Sequence, residues 1–170
     1  MIHIGTCARY TALALGVFAF GPASADDGFK ILLQQGSWTV FKFEATKPGD
    51  PASYCSARSG EASAFFELLG TKEVSCLSAE ARQWRFGDAK GEVGFGIGGS
   101  AIFVDSGQYF SNGLQICGGN GEVDGLISAF WSAQGSTIDV YRSLNRKLGS
   151  FPAAGREKAL RAWKACRASL

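Results

Sequence analysis

Histidine is all but missing from this chain: the single one, His3, stands beside the N-terminus. Without an imidazole further along there is no Ser-His-Asp triad, no Cys-His nucleophile pair and no His-ligated metal centre. Neither G-x-S-x-G nor S-x-x-K occurs, which excludes the serine nucleophiles those motifs mark. There is no C-x-x-C pair either. Cys55, Cys76, Cys117 and Cys166 stand 21, 41 and 49 residues apart, spacings that suit no compact zinc site. A long linker, a low-complexity run and an internal repeat are also lacking. So is any apolar stretch of the roughly 20 residues that a membrane-spanning helix needs.

The longest apolar run, Thr11–Phe20, holds ten uncharged residues. Arg9 precedes it, Gly21-Pro22 breaks it, and Ala23-Ser24-Ala25 follows with small residues at the alternate positions that signal peptidase reads. This order predicts a signal peptide, 1–25, cut after Ala25, and a single exported domain, 26–170, that is periplasmic or secreted and has no transmembrane segment. Cleavage removes His3, Met1 and Cys7 and leaves an even set of four cysteines. In an oxidising compartment Cys55, Cys76, Cys117 and Cys166 are expected to form two disulfides, and four cysteines allow three connectivities.

Short strands dominate the expected domain. Ser37–Glu44 is rich in aromatic and β-branched residues and runs into the turn cluster Lys47-Pro48-Gly49-Asp50-Pro51. Further strands are expected at Ser53–Ala57, Ala64–Leu69, Val74–Leu77, Arg82–Phe86, Glu92–Ile97, Ala101–Asp105, Gln108–Phe110, Gln115–Cys117 and Ile138–Tyr141, with short turns that favour antiparallel neighbours. Val93, Phe95 and Ile97 alternate with Gly94, Gly96 and Gly98, a period of two that puts apolar side chains on one face and bare backbone on the other. Two helices are expected. Val123–Ala133 carries Leu126, Ile127, Phe130 and Trp131 at helical spacing. Ala154–Ala168 puts Leu160, Trp163 and Cys166 on an inner stripe and Lys158, Arg161 and Lys164 toward solvent. The fold class is thus mainly β: an antiparallel β-sandwich or open barrel closed by a C-terminal α-helix, with two disulfides.

Two motifs match as text but not as physics. Gly94-x-Gly96-x-x-Gly99 spells a dinucleotide fingerprint, yet a strand follows it where a helix N-terminus is needed to meet a pyrophosphate; a glycine-faced hairpin is expected instead. Asn120-x-Glu122-x-Asp124-Gly125 resembles the start of an EF-hand, but position twelve is Trp131 rather than a bidentate carboxylate. Glu44, Glu61, Glu67, Glu73, Glu92, Asp88 and Asp105 are available for carboxylate catalysis, and no spacing singles out a pair. No catalytic residue, cofactor or metal is therefore expected.

Charge is segregated along the chain. Val140–Leu170 holds eight Lys/Arg against Glu157 alone, whereas residues 26–139 hold eight basic and fourteen acidic residues. Arg156, Lys158, Arg161, Lys164 and Arg167 form a candidate face for an anionic partner, the alternative being a solvated helix surface. With the totals so nearly balanced, no nucleic-acid partner is expected. Trp38, Trp84, Trp131 and Trp163, with Tyr54, Tyr109 and Tyr141, could form a ligand platform or pack in the core.

A signal peptide, Trp38-Thr39-Val40, Tyr54-Cys55-Ser56-Ala57, a strand meander, and the ending Phe151-Pro152-Ala153-Ala154-Gly155…Ala159-Leu160…Trp163…Cys166 together resemble the invasion-associated locus B group of small bacterial envelope proteins. Phe41-Lys42-Phe43 stands where that group usually has a cysteine. The resemblance implies a β-rich periplasmic or surface-associated protein with no assigned reaction and carries over no catalytic residue. The expected function is that of a non-enzymatic binding or accessory module for an envelope protein, lipid or glycan. A carboxylate-dependent glycan hydrolase, or an inhibitor of an envelope enzyme acting through the loop Thr46–Ser53, are the alternatives. If the export reading is right, N-terminal sequencing of the protein recovered from the cell envelope will begin at Asp26.

Overall fold

Alternation of apolar and small polar residues along the middle of the chain is what a sheet with a buried inner face requires, and the computed structural model builds one. It describes residues 28–143 and 145–170; the signal segment 1–25, with Thr11–Phe20 and its cleavage motif, lies outside the described residues. The elements are β1 Phe29–Gln35, β2 Trp38–Phe43, β3 Tyr54–Glu61, β4 Ala64–Gly70, β5 Val74–Ala81, β6 Ala89–Ile97, β7 Ser100–Phe110, β8 Gly113–Gly119, α1 Asn120–Ser132, β9 Thr137–Ser143, β10 Arg146–Pro152 and α2 Arg156–Arg167. All ten strands join one antiparallel sheet in the order β1-β2-β3-β4-β5-β8-β7-β6-β9-β10. The sheet curls until the end of β10 meets β3, where the Ser59 hydroxyl donates to the Pro152 carbonyl at 2.7 Å. Of the two arrangements expected, this is the curled single sheet rather than two stacked ones.

Cross-strand partners share a face, so the register sorts the side chains. Trp38, Val40, Ala57, Phe66, Leu68, Leu77, Ala79, Leu114 and Ile116 fall on one face and are buried. Val93, Phe95 and Ile97 join them, as their alternation with glycine requires. Both helices press on this inner face. From α1 come Val123, Ile127, Phe130 and Trp131; from α2 come Ala159, Leu160, Trp163 and Cys166. Phe66 is the hub, stacked on Phe130 at 5.5 Å and edge-on to Phe95 at 5.7 Å and Trp38 at 6.3 Å. All four tryptophans are buried, so they serve as core and not as a platform. Each such side chain removed from water stabilises the fold by about 1.5–3 kcal/mol.

The departures from the expected elements have physical causes. Arg82–Phe86 is not a strand. Its backbone bonds to turns instead of a ladder: Arg82 N–H to Ser63 O, Trp84 N–H to Ala81 O and Phe86 N–H to Ser111 O, with Trp84 folded onto Phe151. The expected strands Ala101–Asp105 and Gln108–Phe110 are one strand, β7. β1 and β10 were not foreseen; they are the two edges of the sheet, where pairing on one side alone does not impose strict alternation. Gly94–Gly99 is the foreseen hairpin, turning through Gly98 (φ 64°) and Gly99 (φ 93°). Residues 120–125, the EF-hand look-alike, lie within α1.

The disulfides are Cys55–Cys166 and Cys76–Cys117. The first closes a separation of 111 residues and ties α2 to β3; the second closes 41 residues and joins directly opposed positions of β5 and β8 on the outer face. Loop-closure entropy assigns each about 4–5 kcal/mol, slightly more to the longer loop. Cys55→Ala/Cys166→Ala and Cys76→Ala/Cys117→Ala should each lose about that much unfolding free energy in urea, with the first pair the more damaging. Equal or negligible losses would contradict this.

Candidate functional site

The five cations foreseen on the last helix divide in two. Lys158, Arg161 and Lys164 stand exposed along α2, and among the described residues none of them forms an ion pair. Arg156 instead turns inward, its guanidinium donating to Gly135 O at 2.8 Å and to Ala133 O, the carbonyls that follow α1. Arg167 lies half-buried with its guanidinium 4.9 Å over the Trp163 ring. Arg156 therefore ties α2 to the segment after α1, Arg167 lies over Trp163 of its own helix, and Lys158, Arg161 and Lys164 are the three of the five that stand fully exposed.

A denser basic site lies where β6 and β9 part. Their ladder runs from Ile97 opposite Ile138 to Gly94 opposite Tyr141 and then ends. Beyond it a groove of about 430 Å³ opens between the segment 85–92 and the start of the β9–β10 hairpin. Arg85, Lys90, Arg142 and Arg146 line it, with Glu92 as the one acid among its lining residues. Tyr109 forms the floor. Its hydroxyl, with one proton to donate, lies within hydrogen-bond reach of Glu92 O and, at 3.2 Å, of Arg142 O, between the backbones of the two diverging strands. The Arg142 guanidinium lies 5.6 Å from the Tyr109 ring, and Phe86 packs on that ring at 5.1 Å. Gly91 has no side chain because a Cβ there would come within 3.0 Å of the ring. Arg85 is steadied by donation to Trp84 O at 2.7 Å and to Arg82 O.

The neighbouring Lys147 does not join this set. Its ammonium reaches Asp139 Oδ1 at 2.6 Å, the Ser150 hydroxyl donates to the same oxygen at 2.7 Å, and Gly99 N–H donates to Oδ2 at 2.5 Å. Asp139 is fully buried and pins β9, β10 and the β6–β7 turn together. Asp139 was not among the carboxylates singled out from the sequence.

A second cluster occupies the outer face of β3, β4 and β5. The Ser56 hydroxyl donates to Glu67 Oε1 at 2.5 Å and Arg58 Nη2 reaches the same oxygen at 3.2 Å. Arg58 also lies 3.9 Å from the Phe65 ring centre. Burial raises the Glu80 carboxyl above its ordinary value, helped by the charge of Glu67 and opposed by Arg58. Burial likewise pushes the Tyr54 hydroxyl up to about 12, with Glu67 adding and Arg58 subtracting. Glu67 and Glu80 are thus two acids close enough for the charge of one to act on the other. They lie on a sheet face and do not line the Arg85–Arg146 groove, and Glu67 is already engaged by two partners.

The Thr46–Ser53 loop is exposed over much of its length and internally tied. Asp50 Oδ2 accepts from the N–H groups of Thr46 and Lys47, each at 2.8 Å, and Ser53 Oγ accepts from Ala45 N–H at 3.0 Å. These N–H bonds hold the Asp50 carboxyl below its ordinary value. Among the described residues no group of three or more His, Cys, Asp or Glu side chains is placed to hold a metal ion.

No family model, curated protein or solved structure matches this chain.

The Asp139 network gives a pH test. Burial alone would raise this carboxyl, but the Lys147, Ser150 and Gly99 donors outweigh it and hold it below the ordinary aspartate value. Its stabilisation is therefore present above the unfolded value of about 3.9 and is lost as pH falls through the lower folded value. Asp139→Asn should lower Tm at pH 7 and flatten the fall of Tm with acid below about pH 4. An unchanged acid limb in the variant would count against the assignment.

Proposed function

We propose that this chain is an exported, non-enzymatic binding module that holds an anionic group of an envelope component in the Arg85–Lys90–Arg142–Arg146 groove. The observation that carries the reading is the gathering of four cations around one acid in a single concave site. Like charges held together repel, and an incoming carboxylate or phosphate relieves that repulsion while gaining charge-assisted hydrogen bonds. The two disulfides fit a chain that folds in an oxidising compartment. No helix among the described residues is long and apolar enough to cross a membrane. The resemblance to the invasion-associated locus B group supports a periplasmic or surface-associated setting. The α2 stripe of Lys158, Arg161 and Lys164 adds a weaker, convex source of positive charge, better suited to attracting a partner than to fixing it.

A second reading, an inhibitor of an envelope enzyme, is favoured by the tied Thr46–Ser53 loop. Replacing Lys47–Asp50 with glycines would abolish an inhibitory contact and leave groove binding intact, which separates the two.

The groove reading is tested by isothermal titration with anionic lipopolysaccharide and a neutral glycan. Arg142→Ala/Arg146→Ala should weaken binding of the anionic ligand by about tenfold or more, since each charge-assisted contact contributes about 1.5–3 kcal/mol. Lys158→Ala/Lys164→Ala should change it by about twofold or less, and added salt should weaken the wild type. Equal binding of the neutral glycan would refute the charge basis.

A further inference from the structure

The two disulfides differ in what surrounds them. Cys55 and Cys166 are 0 and 4% exposed, held between β3 and α2. Cys76–Cys117 spans the outer sheet face, where Cys76 is 9% exposed and Cys117 stands open to solvent. The two sulfurs of this second bond therefore meet solvent unequally, and the ladders explain why. β8 pairs with β7 where Gly113, Leu114 and Gln115 face Phe110, Tyr109 and Gln108, and that ladder stops two residues short of Cys117. Further back, β7 keeps its ladder with β6 alone. On the other side of the bond, the half-buried Leu69 of β4 stands directly opposite Cys76 and shares its face.

A disulfide is opened by a thiolate that attacks one sulfur and expels the other. The attack comes in line with the S–S bond, from behind the sulfur that is struck. Behind Cys117 lies the side of β8 that β7 has left open. Behind Cys76 stands the Leu69 side chain. Cys55 and Cys166 are closed off by burial. Of the four sulfurs in these two bonds, that of Cys117 is the one with an open rear.

We propose that Cys117 is a site of reversible S-thiolation. An incoming thiolate attacks Cys117 Sγ, forms a mixed disulfide there and releases Cys76 as a thiolate that takes its proton from water. One S–S bond forms as one breaks, so no oxidant or reductant is consumed. The ladder from Val74 opposite Gly119 to Glu80 opposite Gly113 still joins β5 to β8, and Cys55–Cys166 stays closed, so the fold survives the exchange. The Cα atoms of residues 76 and 117 lie 4.1 Å apart in that ladder, which keeps the freed Cys76 beside the adduct. Its return attack on Cys117 expels the thiol and restores the bond. The partner is a thiolate, borne by a small molecule or by a dithiol protein. This inference stands apart from the groove and does not need its ligand.

Excess glutathione added to the folded, disulfide-intact protein tests it, followed by acid quenching, maleimide labelling of freed thiols and peptide mapping. A glutathione adduct is expected at Cys117 with a labelled thiol at Cys76, while Cys55–Cys166 opens at least about tenfold more slowly. Leu69→Ala should uncover the second sulfur, so that an adduct appears at Cys76 as well with Cys55–Cys166 still closed. Reduced thioredoxin supplies a second arm. Opening by glutathione marks a small thiol as sufficient, and opening by thioredoxin alone marks a dithiol protein as the source. If neither reagent opens Cys76–Cys117, or if Cys55–Cys166 opens as fast, the inference is overturned. A wild-type adduct chiefly at Cys76 overturns the choice of Cys117, and an adduct pattern that Leu69→Ala leaves unchanged overturns the shielding that distinguishes the two sulfurs.

Discussion

Cys55 is the point to which the last helix is fixed. Its sulfur joins Cys166, and its carbonyl accepts from Trp163 Nε1 at 3.1 Å, so α2 is held by a covalent bond and a buried hydrogen bond at one strand position. The residue opposite Cys55 on β4 is Gly70, and it has to be glycine. A Cβ there would lie 2.5 Å from the Trp163 ring and 2.4 Å from the Arg167 stem. With α2 so anchored, Arg156 at its first turn reaches the carbonyls that follow α1, and Trp131 of α1 donates back to Arg156 O at 2.8 Å. The second helix thereby positions the first, and together they cover the inner face around Phe66. The 111-residue separation closed at this point restricts the unfolded chain and so favours the state in which α2 lies on the sheet.

What could be read from the residues follows from where pairing acts on both sides. The central strands alternate because each has an inner face against the helices and an outer face away from them, and the period of two is plain in Val93–Gly98. The α2 stripe of Leu160, Trp163 and Cys166 was legible for the same reason, one buried side on a regular element. The edges were not legible. Phe29-Lys30-Ile31-Leu32-Leu33 lacks alternation because Leu33 packs toward the core while Ile31 and Leu32 stay exposed around a break in register.

The sites differ in legibility for a different reason. A charge run on one helix is visible in sequence, which is why Lys158, Arg161 and Lys164 were foreseen correctly as solvent-facing. Composition cannot reveal which of its members turn inward, and Arg156 and Arg167 do. The groove is invisible in sequence because Arg85 and Lys90 are more than fifty residues from Arg142 and Arg146. Only the β6–β9 pairing brings them together, and only its end at Gly94–Tyr141 leaves room between them. The same pairing explains Asp139. Its neighbourhood consists of a glycine from the β6–β7 turn and a lysine and a serine from β10, none of which marks it in the chain.

The groove keeps its charge because the acids near it in the chain are used elsewhere or are few. Asp139 takes up Lys147, the residue after Arg146, and the Tyr109 hydroxyl is turned to backbone carbonyls of the two parting strands. Arg85, Lys90, Arg142 and Arg146 are thus left to line one concavity with Glu92 as the one acid among the lining residues, and like charges held together in this way are what an entering anion would relieve.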